Sequence, residues 1–213
     1  MMLKSAILCM LLATGAVLAP TAEATTLANL SQEQLVDAST YVLKGTITEV
    51  WVEFDEDDMI WTRAKLAVDT TYKGPDTPSE IIIDTQGGRI GDQEVAVYSA
   101  ARFSEGEKVV VFLASIKFGT RWTPVEMFRG KFTIRRAPGD VRPIAQNYLP
   151  RQSDVYDHRF IPAPDMEHRI YLEDLLNVVE TRLQTGWDGQ PIPGISPTEL
   201  TRINSIDRRR IHR

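Results

Sequence analysis

The chain has 213 residues, 43% hydrophobic and 25% charged, with 24 Lys and Arg against 29 Asp and Glu and a net charge of −5. That is ordinary globular composition, enough for one domain with a real core plus appendages. An acidic chain gets no general electrostatic help at a phosphate backbone, so nucleic acid is excluded as the expected partner.

Lys4 gives a short positive start, residues 6–19 form an apolar run of secretory length, and Ala22-Glu23-Ala24 places small residues before a cleavage point at Thr25. The expectation is a signal peptide over 1–24 and an exported mature chain, periplasmic or secreted. The apolar run falls short of the ~20 residues of a spanning helix and ends at Pro20, so no transmembrane segment is expected after cleavage. The single cysteine, Cys9, lies inside that run. The mature chain is then without disulfides, zinc-thiolate sites or cysteine nucleophiles, and its stability comes from packing.

Ser31-Gln32-Glu33-Gln34 has the form of a capping box and predicts a short helix to about Ala38 that buries Leu30, Leu35 and Val36. A long strand over 41–54 follows. Its apolar positions are odd at Tyr41, Leu43 and Ile47 and even at Val50, Val52 and Phe54. Side chains alternate with period two, so the switch predicts a bulge or bend near Thr48-Glu49. A bent strand that serves two sheets is a feature of small closed barrels.

Asp55-Glu56-Asp57-Asp58 breaks the run and reads as a solvated hairpin tip. A calcium loop would need a glycine turn and a later bidentate glutamate, which are missing. The return strand, 60–72, keeps Ile60, Ala64, Leu66, Val68 and Tyr72 on one face. Matching the apolar faces pairs Phe54 with Ile60. It also sets Glu53 opposite Trp61, Trp51 opposite Arg63 and Glu49 opposite Lys65 on the outside.

A third strand, 80–85, is carried by Ile81-Ile82-Ile83. Gly87-Gly88-Arg89-Ile90-Gly91 lacks the following helix that a phosphate loop requires. It reads as a turn or bulge before another strand at 95–98. Phe103-Ser104-Glu105-Gly106-Glu107-Lys108 then delivers the chain into Val109-Val110-Val111-Phe112-Leu113. Five adjacent apolar residues, β-branched and aromatic, predict a strand covered on both faces. A last hairpin, 122–128 with 131–136, is expected around Arg129-Gly130.

The barrel domain is thus expected over 25–140, an irregular linker or surface wrap over 141–169, an amphipathic helix over 170–185, and a spacer with a basic helix over 186–213. Leu172, Leu175, Leu176, Val179 and Leu183 make one apolar stripe, and Gly186 stands near its end. Ser196-Pro197-Thr198-Glu199 starts the terminal helix, which carries Leu200, Ile203 and Ile206. The chain ends in Arg208-Arg209-Arg210-Ile211-His212-Arg213, a basic end suited to a helix C-terminus or to an anionic partner. Asp154, Asp157, His158, Asp165, Glu167 and His168 lack metal-ligand spacing and read as solvated. Without a serine elbow, an HExxH motif or a cofactor loop, no catalytic residue, metal or cofactor is expected, and the chain reads as a non-enzyme.

Five features occur in a fixed order: the short helix, Ala38 to Val42-Leu43-x-Gly45-x-Ile47, Tyr72-Lys73-Gly74, the segment from Phe103 to Leu113, and Gly130-Lys131-Phe132-Thr133-Ile134. Over about residues 30–136 this order resembles a group of exported bacterial proteins. It is more distantly similar to the netrin-like module of the tissue inhibitors of metalloproteinases. The resemblance implies a mainly β fold, a five-stranded OB-like Greek-key barrel with a short N-terminal helix and C-terminal helices. It also implies protein binding without catalysis, the partner being another exported protein such as a zinc protease. The alternative is a structural or interaction subunit of an envelope or surface assembly. In the inhibitors the mature N-terminus and neighbouring loops make the contact edge, which here corresponds to Thr25, Thr26, Asp55, Glu56, Asp57, Asp58 and Met59. Those inhibitors use disulfides and an N-terminal cysteine that this mature chain lacks, so their chelating mechanism transfers to no residue here.

Overall fold

The computed structural model describes residues 30–97, 99–116, 121–136, 139, 141–147, 169–193 and 195–208, with residues 206–208 as backbone only. The expected signal peptide, Thr25, Thr26 and the arginine cluster over 209–213 lie outside them. The fold is mainly β. Helix α1 (Gln32–Ala38) opens it, and Ser31 and Gln34 make the full capping box. Strands β1 (Tyr41–Phe54), β2 (Ile60–Lys73), β3 (Glu80–Gln86), β6 (Lys108–Ile116) and β7 (Arg121–Pro124) form a five-strand ring. The ring order is β1-β2-β3-β7-β6, and β6 returns to pair antiparallel with β1. A two-stranded ribbon, β4 (Gly88–Ile90) and β5 (Gln93–Val95), sits between β3 and β6 in sequence.

The expected β1–β2 register is the one observed, with Phe54 opposite Ile60, Trp51 opposite Arg63 and Glu49 opposite Lys65. The ladder skips at Thr48, so the bulge lies where the apolar phase changes. That extra residue lets Ile47 and Val50 both reach the interior. Beyond it the strand outruns the core, and Phe54, expected inside, is 41% exposed.

β6 is shared by two cores. Val109, Val111 and Leu113 point into the ring with Leu43, Ile47, Leu66 and Ile83. Val110 and Phe112 point out, into a second core formed with the helices. Alternation on a strand buried from both sides explains why all five residues are fully buried. The second core is closed by α1, by α2 (Leu172–Thr185) through Leu175 and Val179, and by α3 (Pro197–Arg208) through Leu200. Ile192, in the expected spacer, is buried there as well.

Three expectations are corrected. Strand β7 and β8 (Lys131–Arg135) do not pair with each other. Both run along the same edge of β6, at 113–116 and 109–111, as one strand interrupted by a 3-10 turn at Met127–Gly130. Gly130 faces Val125 and the Phe112 carbonyl, and a Cβ there would lie 2.5 Å from Val125 N, so the turn folds flat onto the edge instead of reversing the chain. The strand expected at 95–98 is instead β5 over Gln93–Val95, with 96–97 irregular and residue 98 outside the described residues. The stretch read as irregular after residue 140 contains β9 (Ile144–Gln146), which pairs with β8 and with β10 (Arg169–Tyr171). Three residues are too short for a periodic signal, and an existing edge recruited them. The carboxylates and histidines between 148 and 168 lie outside the described residues.

Candidate functional site

The β1–β2 connection, residues 55–59, is an ordered tip. Asp55 makes it so: its Oδ1 accepts from the backbone N–H of Asp57 and of Met59, each at 3.0 Å. The chain closes with Asp55 N–H donating to the Met59 carbonyl at 2.9 Å, and Asp58 takes a positive φ of 56°. Of the four carboxylates read as solvated, Asp55 is the exception. Its side chain is 4% exposed, and its Oδ2 meets Arg121 Nη1 at 3.1 Å. The isolated tip sequence carries no sign of this partner, which comes from a strand 66 residues away.

From Asp55 a chain of alternating charges crosses the outer face of the ring. Arg121 Nε bonds Asp84 Oδ2 on β3. Arg63 Nε on β2 approaches Asp84 Oδ1 at 3.5 Å, and Arg63 Nη1 pairs with Glu53 on β1 at 2.8 Å. The Arg121 guanidinium lies over the Trp61 ring, 4.1 Å from its centroid. Burial alone would lower the Arg121 pKa, but the hydrogen bonds and charges of Asp84 and Asp55 outweigh it and raise the pKa above its ordinary value. Four strands are cross-tied by these contacts, and the Asp84 side chain at their centre is 4% exposed. A groove of about 370 Å³ beside them is lined by Arg63, Asp84, Arg121, Ile82 and Trp122.

The tip itself presents Glu56, Asp57, Asp58 and Met59 to solvent. Met59, in the tip, is 42% exposed and Phe54, the last residue of β1, is 41% exposed, so two large apolar side chains stand at the far end of the hairpin beside the acidic residues 56–58. Thr25 and Thr26 fall outside the described residues. Leu30, where the described chain begins, sits in the helix layer, its carbonyl accepting from Arg129 at 3.4 Å. That layer adjoins the Tyr41 end of β1, whose 14 residues span roughly 45 Å to the tip at ~3.3 Å each.

Two residues of the ordered sequence features, Glu107 and Lys73, turn out to be structural. Glu107 accepts from Lys131 Nζ at 2.7 Å and from Thr133 Oγ1 at 2.5 Å, tying the Gly106 turn to β8. Lys73 is buried and donates to the Val36 carbonyl at the end of α1 at 2.8 Å and to Asn204 Oδ1 on α3 at 3.1 Å. Arg121 and Asp84 carry no expected role in the sequence, and Arg63 is expected there only as the cross-strand neighbour of Trp51. Their only signal is a charge at a strand position beside apolar neighbours, as Asp84 after three isoleucines.

Among the described residues, no group of three or more His, Cys, Asp or Glu side chains is placed to hold a metal ion. No described helix is long and apolar enough to cross a membrane. No family of known proteins, no curated protein and no solved structure matches the chain.

Proposed function

We propose that the chain is an exported, non-enzymatic binding module that takes another exported protein at the β1–β2 tip. The observation that carries this is the pairing of order with exposure. Met59 in the tip and Phe54 at the end of β1 are 42% and 41% exposed on either side of Asp55, whose hydrogen bonds close the turn and whose carboxylate is held by Arg121. A preorganised loop loses little conformational entropy on binding, and exposed apolar anchors with a polar rim are what protein interfaces use. Export rests on the N-terminal sequence pattern. The ring order, the parallel contact of β3 with β7 and the bend in β1 support an OB-type, netrin-like barrel. Under that reading an exported zinc protease is the first partner to try.

The second reading is a structural subunit of an envelope or surface assembly. It is favoured by the outer edge of β1, which β6 leaves at Thr46. The test is capture from native envelope and medium fractions with the mature chain as bait, run beside a Phe54→Ser/Met59→Ser variant. A partner held by the first bait and lost by the second supports tip binding, and loss of a zinc protease's activity on adding the wild type supports inhibition. Equal capture by both baits rejects the tip.

A further inference from the structure

The buried ion chain is incompletely bonded at one point. Arg121 Nη2, Asp84 Oδ1 and Arg63 Nε are buried without a hydrogen-bond partner among the described residues, and so is Trp61 Nε1 beneath the Arg121 guanidinium. These four atoms share one cluster. Nε and Nη2 are the two donors on one edge of a guanidinium, the pair that closes on both oxygens of a carboxylate. Arg121 instead gives Nε to Asp84 and Nη1 to Asp55, one bond to each acid. If Asp55 leaves, a small rotation lets Arg121 close Nε and Nη2 on Asp84 together. Nη2 and Oδ1, the two atoms now unsatisfied, then satisfy each other.

The geometry points to a two-state latch on the tip. In one state Arg121 bridges Asp55 and Asp84 and residues 55–59 are held. In the other Arg121 is bidentate on Asp84 and the tip is released. Each state keeps Arg121 in contact with a carboxylate, and each has a cost the other lacks. The held state leaves Arg121 Nη2 and Asp84 Oδ1 without a hydrogen bond, Oδ1 having only the 3.5 Å ion contact with Arg63 Nε, and the released state gives up the Asp55 contact. The inference rests on the tip being the binding surface and gives that surface its regulation. A partner that needs the held shape draws Arg121 onto Asp55, and its apparent affinity is reduced by the fraction of molecules released.

Asp55→Asn separates the latch from the turn. Its side-chain carbonyl still accepts from the amides of residues 57 and 59, while its charge for Arg121 is gone. The expected result in the unbound full chain is amide exchange about tenfold faster over 55–59, with exchange over 109–113 unchanged. In the wild type, relaxation dispersion on the microsecond–millisecond scale is expected at the tip amides and the Trp61 indole N–H, and is expected to vanish in Asp55→Asn. Two results would overturn the latch. One is wild-type tip protection in Asp55→Asn together with a flat wild-type dispersion profile. The other is tip and core exchange accelerating in step, which makes the contact a plain strut. Either leaves the binding role of Phe54 and Met59 to be decided by the capture experiment.

Discussion

Arg182 on α2 closes on both carboxylate oxygens of Asp37 on α1, with Nε at 2.9 and 3.0 Å and Nη2 at 2.6 Å. Asp37 is 4% and Arg182 14% exposed at the side chain, and Asp188 adds a second carboxylate at 3.2 Å. The hydrogen bonds to Asp37 raise the Arg182 pKa in spite of burial. This contact fastens the C-terminal helices to the N-terminal one. Arg182→Ala leaves the Asp37 carboxylate buried and uncompensated, so we expect a loss of about 3–5 kcal/mol in denaturant unfolding. Asp37→Asn/Arg182→Gln together should cost less than Arg182→Ala alone. A single-variant loss below about 1 kcal/mol would show that the helices dock by apolar contacts only.

Val110→Asp and Val111→Asp test the double duty of β6. One charge would enter the helix-side core and the other the ring interior, each without a partner. Both variants are expected to be unfolded by circular dichroism. A folded Val110→Asp would mean that the helices lift away from the ring without unfolding it.

Gly45→Ala and Gly106→Ala separate close approach from backbone conformation. A Cβ on Gly45 would lie 2.1 Å from the Ala67 carbonyl oxygen, so the β1–β2 ladder must shift, at a cost of roughly 1–3 kcal/mol. Gly106 has φ of +77° with open space around it, so alanine there meets only the left-handed backbone penalty of about 1–2 kcal/mol. Thermal unfolding of the two variants checks this. Strand amide shifts should move along β1 and β2 in the first and stay fixed in the second.

Much of the ring was legible because its signals are local and periodic. The β1–β2 register followed from matching two apolar faces, since a slip of one residue would turn every side chain over. The bulge at Thr48 followed from a change of phase that no regular strand allows. The two-sided burial of residues 109–113 followed from an apolar run too short for a helix. What the sequence hid depends on partners distant in the chain. Asp55 reads as one of four solvated acids until Arg121 is placed beside it. β9 is three residues long, and only the edge of β8 makes it a strand. The Arg129-Gly130 pair looks like a hairpin turn, yet close packing of Gly130 on Phe112 turns it into an interruption of one straight strand.

Lys131 gives a pH dependence of defined sign. Burial, outweighing its bond to Glu107, lowers its pKa below the ordinary 10.5. The unfolded chain therefore holds the proton more tightly. Below the folded-state pKa this group works against folding, and that penalty fades as pH rises from the folded-state pKa towards 10.5. Wild-type stability relative to Lys131→Met should accordingly climb as the pH rises through the folded-state pKa towards 10.5. A flat difference over that range would place the ammonium at its ordinary pKa.

Closing the ring sets how the chain must fold in time. Tyr41 pairs with Leu113 on the order of seventy residues away, and no local hairpin can substitute for that contact. The β1–β2 hairpin, closed by a five-residue tip, is expected to form first, exposing Leu43 and Ile47 until β6 arrives. Folding is therefore expected on the slow side for its size, in milliseconds to seconds. During that interval the half-built sheet has a bare edge, the condition under which a newly emerged chain depends on a holding chaperone.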